Sequence, residues 1–169
     1  TGPPNAVSPS CLSRLVNMEQ PMPRFSPAME RHVRDAEDAW NSRNLQAILL
    51  GHTIDCQWRN RVHFLWGREQ IRLFVERQLR RELDLRMIVE LWAEGDCRIS
   101  TRHAAEFHTD SGTWFRIYGS EDIEFGEAGL VKRRLTAANE HPIHEHERVL
   151  RWPGGPRPLG HPTLTELGF

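Results

Sequence analysis

Two titratable residues stand on otherwise apolar strand faces, and proton transfer is the chemistry they could perform. In the run Arg98 to His108 alternate residues point to opposite sides, so Cys97, Ile99, Thr101, His103, Ala105 and Phe107 share one face. Arg98, Ser100, Arg102, Ala104, Glu106 and His108 share the other. The first set is expected inward, where burial would keep the His103 imidazole neutral and able to accept a proton. The alternative is a core histidine satisfied by backbone or by a carboxylate. In the neighbouring run, Phe115, Ile117, Gly119, Glu121, Ile123 and Phe125 fall together, with Glu121 the only charge among them. A buried carboxylate is costly unless paired, so Glu121 is either an acid/base or half of an ion pair with an arginine such as Arg133. Asn60 shares the face of Trp58 and could polarise a substrate carbonyl or tie down the loop that follows. Trp58, Trp92, Arg133, Thr101 and Cys56 are expected to line the substrate site around these three, with Arg133 also stabilising negative charge.

Other chemistries find weaker support. His141, His144, Glu145 and His146 cluster near Pro142, but their spacing is not HExxH and no distant Cys or His pair completes a metal motif, so no metal is expected. The dinucleotide, phosphate-loop and serine-nucleophile signatures are missing, and no cofactor is expected. Cys11, Cys56 and Cys97 are odd in number and far apart, which argues against a disulfide framework and fits a reducing, cytoplasmic setting.

The elements that must position the candidates are legible in the periodicity. Residues 1 to 27 hold six of the 11 prolines and read as an irregular arm. Ser26-Pro27 is a helix start, followed by Met29, Val33, Ala36 and Trp40 on one face. A short helix over Leu45 to Leu50 ends at Gly51, and a β-like stretch runs from Thr53 to Val62. Ile71, Phe74, Val75 and Leu79 then stripe a second amphipathic helix. From Leu85 the pattern turns to strands, Leu85 to Ala93, Arg98 to His108, Trp114 to Phe125 and Leu130 to Ala138, separated by Gly- and Asp-containing turns. Helices first and a sheet afterwards make an α+β domain over residues 28–140, with the Pro- and Gly-rich residues 141–169 wrapping its surface.

With 169 residues, 38% hydrophobic and 27% charged, the chain suits one soluble core. Lys and Arg number 22 against 23 Asp and Glu, which leaves no field to draw in nucleic acid, and no apolar run is long enough for a bilayer. No export leader is visible at the N-terminus, and the stretch before Met18 and Met22 reads as a natural or an added extension. Arg59, Arg61, Arg98, Arg102 and Arg116, with Trp114 and Tyr118, suit the surface of a homodimer.

The order of elements resembles the nuclear-transport-factor-2-like superfamily, which includes the SnoaL-like cyclases. A closer resemblance is carried by Trp58-Arg-Asn-Arg61, Phe64, Gly67-Arg68, Glu90-Leu-Trp92, Arg98-Ile99, Asp110-Ser-Gly112, Trp114-Phe-Arg116, Tyr118-Gly119, Glu121, Glu124-Phe125, Gly129-Leu130, Arg157-Pro158 and His161-Pro162. Together these are similar to the DUF1348 family of SnoaL-like proteins over roughly residues 28 to 168. The resemblance implies a bent sheet around a long helix, a conical small-molecule pocket and often a homodimer through the sheet's outer face. His103 replaces the family's typical Phe, the Gly-Asn-Glu-Asn-Trp-Glu-Phe motif reads Gly119-Ser-Glu-Asp-Ile-Glu-Phe125, and the Ile-Asn-Asp-x-Pro-Ile run is Ala138-Asn-Glu-His-Pro-Ile143. An altered pocket suggests a specialised substrate.

Three functions follow. The first is a cofactor-independent enzyme performing isomerisation, cyclisation, dehydration or water addition on a small metabolite, with His103 as base, Glu121 as partner and Asn60 steadying developing charge. The second is a non-catalytic ligand-binding or dimeric interaction module. The third, a metal enzyme using the His141 to His146 cluster, ranks last.

Overall fold

The computed structural model describes residues 25–169, so the expected arm lies almost wholly outside the described residues. Helix α1 (Pro27–Asn41) starts where Ser26 accepts a hydrogen bond from the Met29 amide at 3.2 Å, with Pro27 in the first turn. It buries Val33, Ala39 and Trp40. A short α2 (Leu45–Leu50), capped by Asn44 on the Ala47 amide at 3.0 Å, leads into β1 (His52–Asn60) and β2 (His63–Trp66). Helix α3 (Gly67–Arg81) buries its expected stripe of Ile71, Phe74, Val75 and Leu79. Four long strands follow: β3 (Leu83–Gly95), β4 (Arg98–His108), β5 (Trp114–Phe125) and β6 (Val131–Ile143).

The strands form one six-stranded sheet in the order β2-β1-β6-β5-β4-β3. Every pairing is antiparallel except β1 with β6, which is parallel and brings the first strand against the last. The three helices pack on its inner face, around a core that includes Trp40, Trp58, Ile71, Phe74, Leu85 and Phe107. This is the expected α+β architecture.

Three local departures matter for the site. The stretch read as one strand to Val62 is a hairpin, because Arg61 turns the chain at φ 54° without the Gly or Asn that normally marks such a turn. Cys97, expected inward, sits at φ 55° in the β3–β4 turn and is exposed. Strand β6 runs on to Ile143, and its register with β5 slips from Phe125↔Val131 to Glu124↔Arg133, leaving Lys132 as an extra residue. That bulge reverses the alternation, so the inward positions after Val131 are Arg134, Thr136 and Ala138.

Residues after β6 lie against the outer face of the sheet and build a second, smaller core of Ile88, Ala104, Leu150, Trp152 and Leu164, joined by Tyr118 and Phe169. Two fully buried carboxylates anchor this extension. Glu106 on β4 accepts from Arg116 and from the Val149 and Leu150 amides, and Glu37 on α1 accepts from Arg157 at 2.8 Å and from the Val89 amide at 2.8 Å. The side chains expected to form a dimer surface are thereby largely engaged within the chain. Arg102 donates to Glu90, Thr165 and the Phe169 carbonyl, Arg116 lies 5.3 Å from the Phe169 ring, and Arg148 stacks on Trp114 at 3.6 Å. Among the described residues no helix is long and apolar enough to cross a membrane.

Removing Glu37 would strand Arg157 and the Val89 amide in a dry site, so Glu37→Ala is expected to cost about 3 kcal/mol or more. Urea unfolding measures this, and a loss below about 1 kcal/mol would show that Glu37 does not anchor the extension.

Candidate active site

The bent sheet and the helices enclose a cavity of about 340 Å³. Helix α1 contributes an apolar wall that includes Val33, Ala36 and Trp40, and the inner face of β4, β5, β6 and β1 contributes the polar one. Thr101 and His103 of β4 and Glu121 of β5 all face the cavity, as strand alternation requires, and so do Trp58 and Asn60 of β1. The hydrogen-bond register sets Thr101 opposite Glu121 and His103 opposite Gly119.

Glu121 is the electrostatic centre of this wall. Arg134 donates from Nη2 to both of its carboxylate oxygens at 2.8 Å, and the Thr136 hydroxyl donates to Oε1 at 2.9 Å. The Trp58 indole donates to the Thr136 oxygen at 2.8 Å, and the Arg134 guanidinium lies 4.3 Å from the Trp58 ring centre. Burial works to raise the Glu121 pKa, but the Arg134 charge and the hydrogen bonds from Arg134 and Thr136 hold it below the ordinary carboxylate value. Glu121 is therefore an anion at neutral pH.

His103 lies beside that pair. Burial lowers its pKa below the usual histidine value, partly opposed by the Glu121 charge and reinforced by Arg134 and Arg61. Its ring is spread across Gly119: a Cβ at that position would stand 2.5 Å from both Cε1 and Nε2. The absence of a side chain at 119 is what lets the imidazole reach over the sheet. No described residue hydrogen-bonds to either ring nitrogen, which leaves a neutral imidazole facing the cavity.

Three expected wall residues lie elsewhere. Arg133 is exposed on the outer side, because the bulge at Lys132 gives the inward place, and the partnership with Glu121, to Arg134. Trp92 is 65% exposed: a register slip between Leu91 and Ala93 leaves it as an extra residue without a partner on β4, and Arg102 covers its ring. Cys56 is fully buried in the core rather than at the cavity, with its thiol pushed up to about 11 by burial. The histidine cluster at the end of β6 is outside the cavity as well, with His144 and His146 stacked on each other and His141 stacked on Tyr118. Among the described residues, no group of three or more His, Cys, Asp or Glu is placed to hold a metal ion.

The polar lining residues that sequence reasoning missed include Arg134, His52, His32 and Glu82. His52 donates from Nδ1 to the Ile48 carbonyl, 2.8 Å away, and stacks on Trp58. Burial, and then the Arg134 charge, push its pKa down to about 4. Its position as the first residue of β1, just after Gly51, carries no motif that would have singled it out.

Two outcomes follow. Gly119→Ala must displace the His103 ring, and overpacking of this kind is expected to cost about 1–3 kcal/mol while leaving the fold intact; unchanged His103 ring resonances in the variant would refute the contact. For His52 the native pKa lies below the unfolded one, so its stabilisation is complete above about pH 6.5 and is lost as pH falls towards 4. The stability difference between the protein and His52→Phe should therefore shrink by about 2–3 kcal/mol between pH 7 and pH 4 in urea titrations. A difference independent of pH would mean that His52 is not buried neutral.

With the geometry set out, comparison with known proteins gives the family and the fold. Residues 23–151 match the family model described as protein of unknown function, DUF1348. No curated protein matches the chain significantly. Among solved structures, an NTF2-like protein of unknown function from Burkholderia pseudomallei K96243 is 15% identical with a TM-score of 0.61, covering 68% of this chain and 92% of that one. A putative SnoaL-like polyketide cyclase from Shewanella denitrificans OS-217 is 10% identical with a TM-score of 0.58, over 68% and 92% of the two chains. The epoxide hydrolase/cyclase-like enzyme SalBIII, of pyran ring formation in salinomycin, is 13% identical with a TM-score of 0.56, over 66% and 92%. Identities this low establish the fold alone. The chain belongs to the DUF1348 family and has the NTF2-like, SnoaL-like α+β cone.

Proposed function

We propose that the cavity is the active site of a cofactor-independent enzyme that moves a proton on a small, partly apolar metabolite. The observation that carries this reading is His103: a neutral imidazole with no hydrogen-bond partner among the described residues, facing an enclosed cavity beside a buried carboxylate held anionic. His103 would take a proton from a carbon next to a carbonyl, or from an attacking hydroxyl or water. The imidazolium so formed is stabilised by Glu121, which stays charged and acts as a positioning and electrostatic partner rather than as the acid. Asn60 and Thr101, both buried and both at the cavity wall, are placed to orient the substrate oxygen that gains negative charge. The Thr101 hydroxyl has no hydrogen-bond partner among the described residues.

The volume suits a ligand of roughly 10–15 non-hydrogen atoms, near the lower end of typical ligand sites. Isomerisation, cyclisation, dehydration and water addition each need a base, to take a proton from carbon or from an attacking oxygen, and solved relatives of the fold carry cyclase and epoxide hydrolase/cyclase-like descriptions. One observation favours the alternative of a non-catalytic binder. Both Glu121 oxygens are already occupied by Arg134, as in a structural ion pair.

Proton exchange in deuterium oxide separates the two readings without the natural substrate. A panel of small cyclic ketones and 1,3-diketones is incubated with the protein, and loss of the α-proton signal is followed by NMR. Catalysed exchange is expected for at least one member, falling about 10²–10⁴-fold in His103→Ala while circular dichroism is unchanged. Binding of panel members with no exchange above the buffer rate, or equal exchange in the variant, would leave the binder as the correct reading.

A further inference from the structure

Glu82, the residue that ends α3, is a buried carboxyl at the cavity wall that the proposed reaction does not use. It is 5% exposed, and neither carboxyl oxygen accepts a hydrogen bond from any described residue. Its nearest cation, Arg81, stands 3.9 Å away and is already forked onto Glu140. The other charges near it are Arg61 from the β1–β2 turn, 3.6 Å from Glu140, and Arg43, whose guanidinium is occupied by the Glu82 and Leu79 backbone carbonyls. Glu82 is thus faced by groups committed to other partners, with the cavity as its free side.

Its place is far from Glu121. Glu140, which shares Arg81 with Glu82, lies four residues beyond Thr136 on β6, and Thr136 is paired with Glu121. Four residues of strand span about 13 Å. The cavity therefore has two polar ends, one anionic at Glu121 and one at Glu82 beside Ala105 and Ile117, with Ala138 and His103 on the wall between.

We propose that Glu82 is a second ligand-facing group, a neutral carboxylic acid that donates a hydrogen bond to an uncharged acceptor oxygen at the end of the ligand remote from Glu121. Burial above all, with the Glu140 charge behind it, pushes its pKa up to about 7 against the pull of Arg81, Arg61 and Arg43. The ligand class follows: an elongated, mostly apolar molecule with a carbonyl, hydroxyl or ether oxygen at its far end. A carboxylate there is disfavoured by the neighbouring Glu140. The proposal rests on the reading of the cavity as a small-molecule site.

The test uses 1-indanone, which carries an acceptor oxygen, and indane, which lacks it, as probes of the full chain. Binding is followed in ¹H–¹⁵N spectra at pH 6 and pH 8.5. Over that range the wild-type protein is expected to lose about tenfold in 1-indanone affinity with indane unchanged, as Glu82 ionises. Glu82→Gln, a donor at both pH values, should bind 1-indanone equally at each. Carboxyl ¹³C titration of Glu-labelled protein should contain a resonance with a midpoint near 7 that is absent from Glu82→Gln. Wild-type affinity for 1-indanone that does not change with pH, or a change that persists in Glu82→Gln, overturns the proposal. So does a Glu82 resonance titrating near the ordinary carboxylate value. If neither probe binds any form of the protein, the reading of the cavity as a ligand site fails, and this proposal with it.

Discussion

The inner architecture depends on a charge that has been taken out of water. A carboxylate enclosed by an apolar core is tolerated only when every oxygen is answered, and Glu121 is answered twice by Arg134 and once by Thr136. Each partner is then fixed in turn. Trp58 holds Thr136 through its indole and supplies the aromatic face under Arg134, which requires β1 to lie beside β6. The single parallel pairing of the sheet is thus the pairing across which this network is built. A salt bridge in such a place adds little to net stability, and its effect is a unique arrangement of side chains around the cavity.

The same constraint recurs on the outer face with a different result. Glu106 there is as deeply buried as Glu121, but its donors come from Arg116 and from the extension beyond β6, whose Arg157 also reaches Glu37 on α1. Buried carboxylates therefore organise both sides of the sheet, around an open space on one and a packed seam on the other. Strand β4 contributes to both, with Thr101 and His103 to the cavity and Ala104 and Glu106 to the seam.

Much of this was legible in the sequence, and the failures have physical causes. Period-two alternation placed Thr101, His103 and Glu121 together because β4 and β5 are regular across their whole shared length. The helices were legible because Ser26, Pro27 and the apolar stripes obey local rules. Arg133 was chosen over Arg134 because a bulge has no signature in composition, and one extra residue reverses every side chain after it. Trp92 stands at a similar irregularity in β3, where an extra residue again has no signature in composition. His52 and Glu82 escaped notice because each lies at the junction of two elements, where neither periodicity applies. The partners of the outward arginines were hidden for another reason: the Pro- and Gly-rich extension that engages them has no periodicity to announce which face it covers.

The double duty of β4 also limits how this protein can change over evolutionary time. Because neighbouring residues of that strand serve opposite faces, insertion or loss of a single residue would carry His103 under the extension and bring Arg102 into the cavity. Changes in length are consequently confined to the turns, such as those at Asp96-Cys97 and Gly126 to Gly129. Within β4 the chain can explore new chemistry only by substitution, one face at a time.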